Sequence, residues 1–336
     1  MTSLIDVLRF YRIHTGAATA ALPTLAVLTT GTDPLSAFIV FLIALFHHAW
    51  GFSLNEIGDL EVDRMSDSLS HKPLVSGSLS KGNAWVLSII PLVSSSLLLL
   101  LLIVYNGVDL LIPVILFSGS TLSGIIYDMK GKEFPSDIFV SIWILLLVLS
   151  TSSAVVDGFK VGIGVIAVAS LSSLQLLFNN SVEGGIKDLK SDRMTGAKTM
   201  AITLGCRAVD GGSNLTSSFI AWGYTLRSTF VLCASVFSLL LVQSAGWGVW
   251  WNLLIIVLSV LIFVHSGRFM IRNLKIPRKE LIGIFSRQEI SSFLVICLVV
   301  LPVVGILETT IIFLTAGIWF TLMNRIMYGT SMRPGV

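Results

Sequence analysis

Ten runs of apolar residues, each about twenty residues long, constrain the fold of this chain more than any other feature of its sequence. They lie at about 16–31, 34–54, 82–105, 108–127, 136–156, 161–179, 228–246, 248–267, 288–306 and 307–324. An α-helix crosses the hydrocarbon core of a bilayer with about 20 apolar residues. We therefore predict an all-α polytopic membrane protein, built as a bundle of nine or ten transmembrane helices.

The composition excludes a large soluble domain. The 336 residues are 54% hydrophobic and 12% charged, whereas soluble domains carry about 25% charged residues. The net charge of +3 is small, and nothing in the sequence indicates a nucleic-acid partner. We expect a single domain over residues 1–336, in which 307–324 forms an extra C-terminal helix if the tenth run crosses the membrane.

Basic residues concentrate in alternate connections between the runs. They are Arg64, Lys72 and Lys81, then Lys130 and Lys132, then Lys187, Lys190, Arg193, Lys198, Arg207 and Arg227, and finally Arg268, Arg272, Lys275, Arg278, Lys279 and Arg287. The short intervening connections contain only Lys160. By the positive-inside rule, this pattern predicts a cell-membrane protein with both termini and the even-numbered connections in the cytoplasm. We interpret Arg268 to Lys279 as membrane anchors.

Two of the predicted cytoplasmic connections, about 55–81 and about 180–227, are long and rich in Asp. The first begins N-E-I-G-D-L-E-V-D, which places Asn55, Asp59 and Asp63 four residues apart. On a helix this spacing brings side chains to one face, where like charges repel each other. We therefore expect a positively charged partner at this face.

The second connection repeats the four-residue spacing of the first. Asn180, Gly184, Asp188 and Asp192 follow one another in the same steps of four, again directly after an apolar run. Two carboxylate faces on one side of the membrane indicate a site for Mg²⁺, which prefers a few carboxylates together with water and phosphate oxygens. The plainer interpretation is that each stripe is the solvated end of a helix, but two matching stripes disfavour it.

Basic and hydroxyl groups that suit a diphosphate lie near both stripes. Arg64 follows the first stripe and Arg193 follows the second, while Lys72 lies in the sequence H-K-P-L-V-S-G-S-L-S. Tyr127 and Lys130 close the fourth run as Y-D-M-K, and Arg12 precedes the first run. Each of these cations also has the simpler interpretation of a positive-inside anchor.

The two Asp-rich motifs, the K-P-L-V-S-G-S-L-S loop, the Y-x-x-K element and the D-R-x-x-G-x-K-T run at 192–199 resemble the UbiA superfamily of intramembrane prenyltransferases. The resemblance covers about residues 9–210. It implies metal ligation by Asn55, Asp59, Asp63, Asp188 and Asp192, and diphosphate binding by Arg12, Asn55, Arg64, Lys72, Lys130 and Arg193. It also implies catalytic roles for Lys130, Tyr127, Asp63 and Asp192.

The chain departs from the family motifs at two positions. Glu56 stands where the first motif usually has Asp, and Gly184 replaces the first Asp of the second motif. Glu183 and Asn180 are near enough along the chain to compensate for Gly184. These departures leave the metal role of each group open.

The resemblance implies Mg²⁺-dependent transfer of a prenyl group, with geranylgeranyl diphosphate as the expected donor and a small molecule as acceptor. Geranylgeranylglyceryl phosphate of archaeal ether-lipid synthesis is the preferred acceptor, and an aromatic quinone precursor is the alternative. A transporter is the hypothesis from another class, but transporters place ionisable groups near the bilayer midplane. The sequence leaves the oligomeric state open.

Overall fold

The computed structural model describes residues 2–64, 69–130, 133–156, 162–209 and 211–331, without the side chain of Lys130. Sixteen α-helices lie in this part of the chain. They are α1 Leu4–Phe10, α2 Ile13–Leu28, α3 Pro34–Gly58, α4 Leu60–Asp63, α5 Pro73–Ser76, α6 Lys81–Asn106, α7 Leu111–Lys130, α8 Asp137–Ser153, α9 Ile163–Phe178, α10 Gly185–Lys187, α11 Leu189–Thr195, α12 Met200–Thr203, α13 Ser217–Ser244, α14 Val249–Ser266, α15 Arg278–Val304 and α16 Ile306–Tyr328. A π-helix, Asn179–Gly184, joins α9 to α10.

Each of the ten predicted apolar runs coincides with a helix, and the prediction of an all-α membrane fold is confirmed. Eight helices of the described chain are long and apolar enough to cross a bilayer: α3, α6, α7, α9 with its π-helical and α10 extension, α13, α14, α15 and α16. The two shorter apolar helices are α2, with 16 residues, and α8, with 17. The number of membrane crossings, nine or ten, stays a prediction.

Three helices extend beyond the apolar runs that predicted them. Helix α3 continues to Gly58, α13 begins at Ser217 rather than at 228, and α15 begins at Arg278 rather than at 288. Hydropathy detects only the apolar part of a helix, whereas these helices extend into polar sequence. The side chain of Thr216 caps α13 by accepting a hydrogen bond from the amide of Phe219. As a consequence, Arg227 lies in a helix and not in a connection.

The chain divides into two compact units, which are described separately. Unit 1 comprises Met1–Ser118, Leu147–Val161 and Leu307–Val336, and unit 2 comprises Gly119–Leu146 and Gly162–Ile306. The boundaries between the units fall inside α7, inside α8, between α8 and α9, and directly after the start of α16. The prediction of one domain over residues 1–336 stays a prediction.

In unit 1, α3 packs against α2 and α6. Ala17, Ala20 and Ala21 of α2 are fully buried, and small residues let membrane helices approach closely. Between α3 and α6, the hydroxyl of Ser53 donates to the hydroxyl of Ser88 over 2.9 Å. Unit 1 therefore combines close backbone packing with buried polar contacts.

In unit 2, α13 packs against α9, α14 and α15. One buried cluster combines mostly aliphatic side chains with phenylalanines, and the rings of Phe178 and Phe285 pack against the ring of Phe269. A small antiparallel sheet adjoins this cluster, with strands β1 Arg207–Val209, β2 Gly212–Asn214 and β3 Asn273–Leu274 in the order β1-β2-β3. The sequence analysis did not predict this sheet, since its strands are only two or three residues long.

We predict that Gly212→Ala destabilises the protein. A Cβ atom at Gly212 would lie 2.0 Å from the carbonyl oxygen of Leu274 on the neighbouring strand, and backbone cannot yield as a side chain does. The expected loss is about 1–3 kcal/mol in the free energy of unfolding. Thermal unfolding of the detergent-solubilised protein, followed by intrinsic fluorescence, measures it.

The matched control is Gly82→Ala, at the start of α6. A Cβ atom at Gly82 meets no heavy atom within 4 Å, and alanine favours helix over glycine. Stability should stay unchanged or rise. Equal effects of the two substitutions would contradict the steric argument at Gly212.

Candidate active site

The first acidic motif spans the end of α3, and its middle residue interrupts the helix. Asp59 adopts φ −87° and ψ −5°, in the sparsely populated bridge region where many active-site residues lie. The helical spacing nevertheless continues, because the amide of Asp59 donates to the carbonyl of Asn55 and the amide of Asp63 donates to the carbonyl of Asp59, each over 2.9 Å. The predicted step of four is therefore present in the backbone.

The second motif has the same construction. Asp188 interrupts the helix with φ −105° and ψ 6°, between α10 and α11. The amide of Asp188 donates to the carbonyl of Gly184 and the amide of Asp192 donates to the carbonyl of Asp188, again over 2.9 Å each. The two motifs thus share a backbone design: a helix, a bridge-region aspartate and a short second helix.

Glu56 is the centre of an ion network in unit 1. Its Oε1 atom accepts hydrogen bonds from Arg12, with Nε at 2.9 Å and Nη2 at 2.5 Å. The same oxygen lies 3.0 Å from Nζ of Lys72. The Glu56 side chain is only 4% exposed, so its charge depends on these two cations. Glu56, which departs from the family motif, therefore serves to hold Arg12 and Lys72.

Lys72 connects this centre to the acidic motif. Its Nζ donates to Oδ2 of Asp63 over 2.7 Å, and both side chains are buried. Burial is the largest influence on Asp63 and raises its pKa above the ordinary value, although Lys72 acts in the opposite direction. Two cations and two carboxylates therefore balance in the network of Arg12, Glu56, Asp63 and Lys72.

Arg12 reaches Glu56 from an unusual backbone conformation. With φ 44° and ψ 41° it is left-handed, and it is the only non-glycine residue of positive φ in the described ranges. This conformation costs an L-residue about 1–2 kcal/mol. The carbonyl oxygen of Arg12 accepts hydrogen bonds from the amide and the hydroxyl of Thr15, each over 3.1 Å, and these bonds begin α2.

Arg12 stays positively charged in this setting. Burial by itself lowers the pKa of Arg12, but the adjacent Glu56 carboxylate outweighs it and the pKa lies above the ordinary value. The guanidinium carbon lies 5.2 Å from the centre of the Phe52 ring, within the range of a cation–π contact. The side chain nevertheless keeps 29% exposure, which leaves part of the guanidinium accessible.

A small pocket opens beside the network. Its lining is rich in cations and consists of Arg9, Arg12, Glu56, His71, Lys72, Pro73 and Tyr328. Three arginine and lysine side chains face one carboxylate there. The excess of positive charge makes this part of unit 1 suitable for an anion.

In unit 2, the structure brings Tyr127 to the beginning of the second motif. The Tyr127 hydroxyl donates to Oδ1 of Asn180 over 2.9 Å, and Nδ2 of Asn180 donates to the carbonyl of Leu176 over 2.8 Å. In the preceding residue, Oδ1 of Asn179 accepts a hydrogen bond from Nε2 of Gln175. These bonds fix both amides at the start of the π-helix, a type of turn found frequently at functional sites.

A buried ion pair that the sequence analysis missed joins this π-helix to α13. Arg227 is 1% exposed, its Nη1 donates to Oε1 of Gln175 over 2.7 Å, and its guanidinium carbon lies 3.5 Å from the centre of the Phe178 ring. Its Nη2 lies 3.7 Å from Oε1 of Glu183, which is equally buried. The interpretation of Arg227 as a basic residue of a cytoplasmic connection was wrong, because α13 begins ten residues before it.

Glu183 does not replace the missing aspartate of the second motif at the surface. Its carboxylate is 2% exposed, and neither oxygen has a hydrogen-bond partner within the described part of the chain. The nearby Arg227 guanidinium therefore supplies its charge compensation.

Asp188 has different partners, and one of them was missed. Nη2 of Arg278 donates to Oδ1 of Asp188 over 3.1 Å, and Nζ of Lys187 lies 3.3 Å from Oδ2. The Asp188 side chain is 35% exposed. We interpreted Arg278 as a membrane anchor. The contact joins residues ninety positions apart in the sequence, and no local pattern reveals it.

Three predicted cations are not part of the described networks. Arg64 pairs with Glu61 over 3.1 Å, and both side chains are more than half exposed. Arg193 is exposed on α11. The side chain of Lys130 lies outside the described residues, so its predicted role stays a prediction.

The oxygen donors of both motifs fit Mg²⁺ in kind. No cluster of three or more His, Cys, Asp or Glu side chains suited to a metal ion occurs in the part of the chain that the structure describes. Mg²⁺ does not require one, since it binds through one or two carboxylates, substrate phosphates and water. Asn55 and Asp59 in unit 1 and Asp188 in unit 2 are partly accessible and offer such donors.

Comparisons with known proteins agree on one family. A sequence model described as the UbiA prenyltransferase family matches residues 17–286. The chain is similar to the digeranylgeranylglyceryl phosphate synthase of Saccharolobus solfataricus, with 29% identity over 175 residues, 51% of this chain and 56% of that protein. It is also similar to the 2-acylphloroglucinol 4-prenyltransferase of Humulus lupulus, with 27% identity over 164 residues, 46% of this chain and 38% of that protein. The alignments thus span about half or less of these relatives.

The fold has a solved counterpart. A UbiA homologue from Archaeoglobus fulgidus, bound to GPP and Mg²⁺, superimposes with a TM-score of 0.60 and 19% identity. The match covers 87% of this chain and 99% of that one. At this identity the similarity establishes the fold alone.

We predict that Arg227→Met destabilises the protein and that adding Glu183→Gln restores part of the loss. Removing the guanidinium leaves a buried carboxylate without its cation, which costs about 3–5 kcal/mol. Glutamine at 183 removes that buried charge. Thermal unfolding of the two single variants and the double variant forms the required cycle.

Arg207→Met, on the exposed side of β1, is the control and should change the free energy of unfolding by less than about 0.5 kcal/mol. Additive losses in the double variant would show that Arg227 and Glu183 do not compensate each other.

Proposed function

Because this chain belongs to the UbiA prenyltransferase family, we propose that it transfers a prenyl group from a polyprenyl diphosphate to a small acceptor and releases diphosphate. The observation that carries the proposal is the shared backbone of the two acidic motifs, each interrupted at a bridge-region aspartate. If each motif were only the solvated end of a helix, the same backbone construction would not be expected in both. Geranylgeranyl diphosphate is the donor that we propose.

The cations of unit 1 support a diphosphate as the ligand. Arg12 and Lys72 lie within hydrogen-bond distance of one Glu56 oxygen, which shows that two cationic groups converge on a single anionic oxygen. In the proposed complex, diphosphate oxygens accept hydrogen bonds from the accessible part of the Arg12 guanidinium and from the remaining N–H donors of Lys72. Glu56 then keeps both cations in place while the donor binds and leaves.

Mg²⁺ is the proposed cofactor, and its proposed ligands are Asn55, Asp59 and Asp63 in unit 1 and Asp188 and Asp192 in unit 2. When bound, it neutralises the charge that develops on the departing diphosphate. The solved homologue from Archaeoglobus fulgidus is described as bound to GPP and Mg²⁺, and the oxygen donors of this chain suit the same ion. Asp63 contributes least directly, since Lys72 already occupies one of its oxygens.

The other assigned residues have supporting roles in the proposal. Tyr127 donates to Asn180 and thereby orients the segment before Asp188. Lys130, the last residue of α7, and Asp192, in the first turn of α11, are further proposed contacts for the diphosphate and the metal. The exposed Arg64 and Arg193 attract the anionic head group before it is bound.

For the acceptor we propose geranylgeranylglyceryl phosphate. The support is the similarity to the digeranylgeranylglyceryl phosphate synthase of Saccharolobus solfataricus. An aromatic acceptor is the second candidate, supported by the similarity to the Humulus lupulus enzyme. In this proposal the two candidates use the same diphosphate site and differ in the acceptor.

We propose that the protein lies in the cell membrane with its site facing the cytoplasm, as the distribution of basic residues predicts. A transporter is disfavoured even though Arg227 and Glu183 place charge inside a membrane helix. Transport sites use ionisable groups that exchange partners, whereas Arg227 is enclosed by Gln175, Glu183 and Phe178.

The decisive experiment supplies the purified protein with radiolabelled geranylgeranyl diphosphate, Mg²⁺ and a panel of acceptors. We expect release of diphosphate and label in the lipid product with geranylgeranylglyceryl phosphate. Label appearing only with 4-hydroxybenzoate or another phenol would transfer the assignment to the aromatic candidate. No transfer to any acceptor, with donor of several chain lengths, would contradict the proposed function.

Asp59→Asn and Asp188→Asn should each lower kcat/KM for the donor by about a hundredfold or more, the scale of losing a group that stabilises transition-state charge. Titration of Mg²⁺ in the same assay should show a higher requirement for the metal. Glu61→Gln is the matched control, because Glu61 lies in the same motif but is 74% exposed and pairs only with Arg64 among the described contacts. Equal effects at positions 59 and 61 would count against specific ligation.

A further inference from the structure

The C-terminal helix α16 holds the chain on both sides of Arg12. Nε1 of Trp319 donates to the carbonyl oxygen of Ile13, the residue after Arg12, over 2.7 Å. On the other side, Nε of Arg9 donates to the carbonyl oxygen of Met327 over 3.1 Å, and Nη2 of Arg9 donates to the same oxygen. Arg9 thereby also satisfies a carbonyl in the last turn of α16.

Ring contacts reinforce these hydrogen bonds. The guanidinium carbon of Arg9 lies 5.3 Å from the centre of the Tyr328 ring. The buried His14 ring lies 5.8 Å from Tyr328 and 5.9 Å from Phe320. Tyr328 also lines the pocket beside Arg12. Helix α16 thus reaches the cationic pocket itself.

The conformation of Arg12 explains why such support matters. A left-handed non-glycine residue persists only where the surrounding structure over-determines it. This conformation directs the Arg12 side chain towards Glu56. Relaxation of the turn to a right-handed conformation would redirect the side chain, and the arginine would no longer converge with Lys72 on one oxygen.

We propose that α16 braces Arg12 in this left-handed turn and that Trp319 and Arg9 are positioning residues for the diphosphate site. The inference rests on the proposed function in one respect, namely that Arg12 binds the diphosphate. The brace lies outside the residues that match the family, which end at 286. It therefore adds residues to the site that the family motifs do not contain.

The test uses Trp319→Phe in the full chain, which keeps an aromatic ring and removes the N–H donor. Hydrogen exchange read by mass spectrometry should become faster at the amides of residues 12–16. The affinity for inorganic pyrophosphate with Mg²⁺ should fall about tenfold, the lower end of effects from residues that orient a ligand-binding group. Trp250→Phe, at a side chain that is 78% exposed, should change neither quantity.

A double-variant cycle separates positioning from general loosening. In an Arg12→Ala background, Trp319→Phe should have no further effect on pyrophosphate affinity, because its target is gone. Arg9→Met, which removes the bonds to Met327, should reproduce the loss of affinity and serves as the second variant if Trp319→Phe folds poorly. An equal loss of affinity with and without Arg12 would overturn the proposal.

Unchanged hydrogen exchange at residues 12–16 in both Trp319→Phe and Arg9→Met would also overturn it. These readouts do not depend on turnover. If the wild-type protein transferred no prenyl group to any acceptor, the proposed function would fail while the exchange and pyrophosphate measurements still decided on the brace.

Discussion

The described site of unit 1 depends on the contacts of the Glu56 carboxylate with Arg12 and Lys72. A single buried oxygen accepts from Arg12 and lies within contact of Lys72, and Lys72 extends the network to Asp63. Taking these charges out of water is costly unless each meets its opposite. Removal of any one member would therefore leave a buried charge uncompensated. Glu56 holds both cations at a single oxygen. Unit 2 repeats the principle with Glu183 and Arg227, although there the pair supports a π-helix.

The parts of the structure that local sequence determines were predictable. Apolar runs located ten helices, and the spacing of Asn55, Asp59 and Asp63 gave the hydrogen-bonded step of four that the backbone contains. Helix ends were less accessible, because α13 begins in polar sequence at Ser217 and hydropathy does not register such a start. Because the sequence analysis placed Arg227 in a connection, it did not predict that this residue is buried within α13.

Contacts between distant residues could not be predicted in the same way. Glu56 appeared as an imperfect metal ligand, and only the fold places Arg12 and Lys72 against it. Likewise, no pattern in the sequence connects Arg278 to Asp188, or Trp319 to Ile13 across 306 positions. The sequence identifies the residue types of the site. Which charged side chain pairs with which partner can be determined only from the tertiary structure.

The unequal burial of the two acidic motifs has a consequence for the ionic medium. The Glu56 side chain is only 4% exposed, whereas the Asp188 and Arg278 side chains are 35% and 46% exposed. Dissolved ions weaken exposed pairs much more than buried ones. Rising salt concentration should therefore release Asp188 from Arg278 while Glu56 keeps Arg12 and Lys72. The two acidic motifs of one protein would then differ in their sensitivity to the surrounding salt concentration.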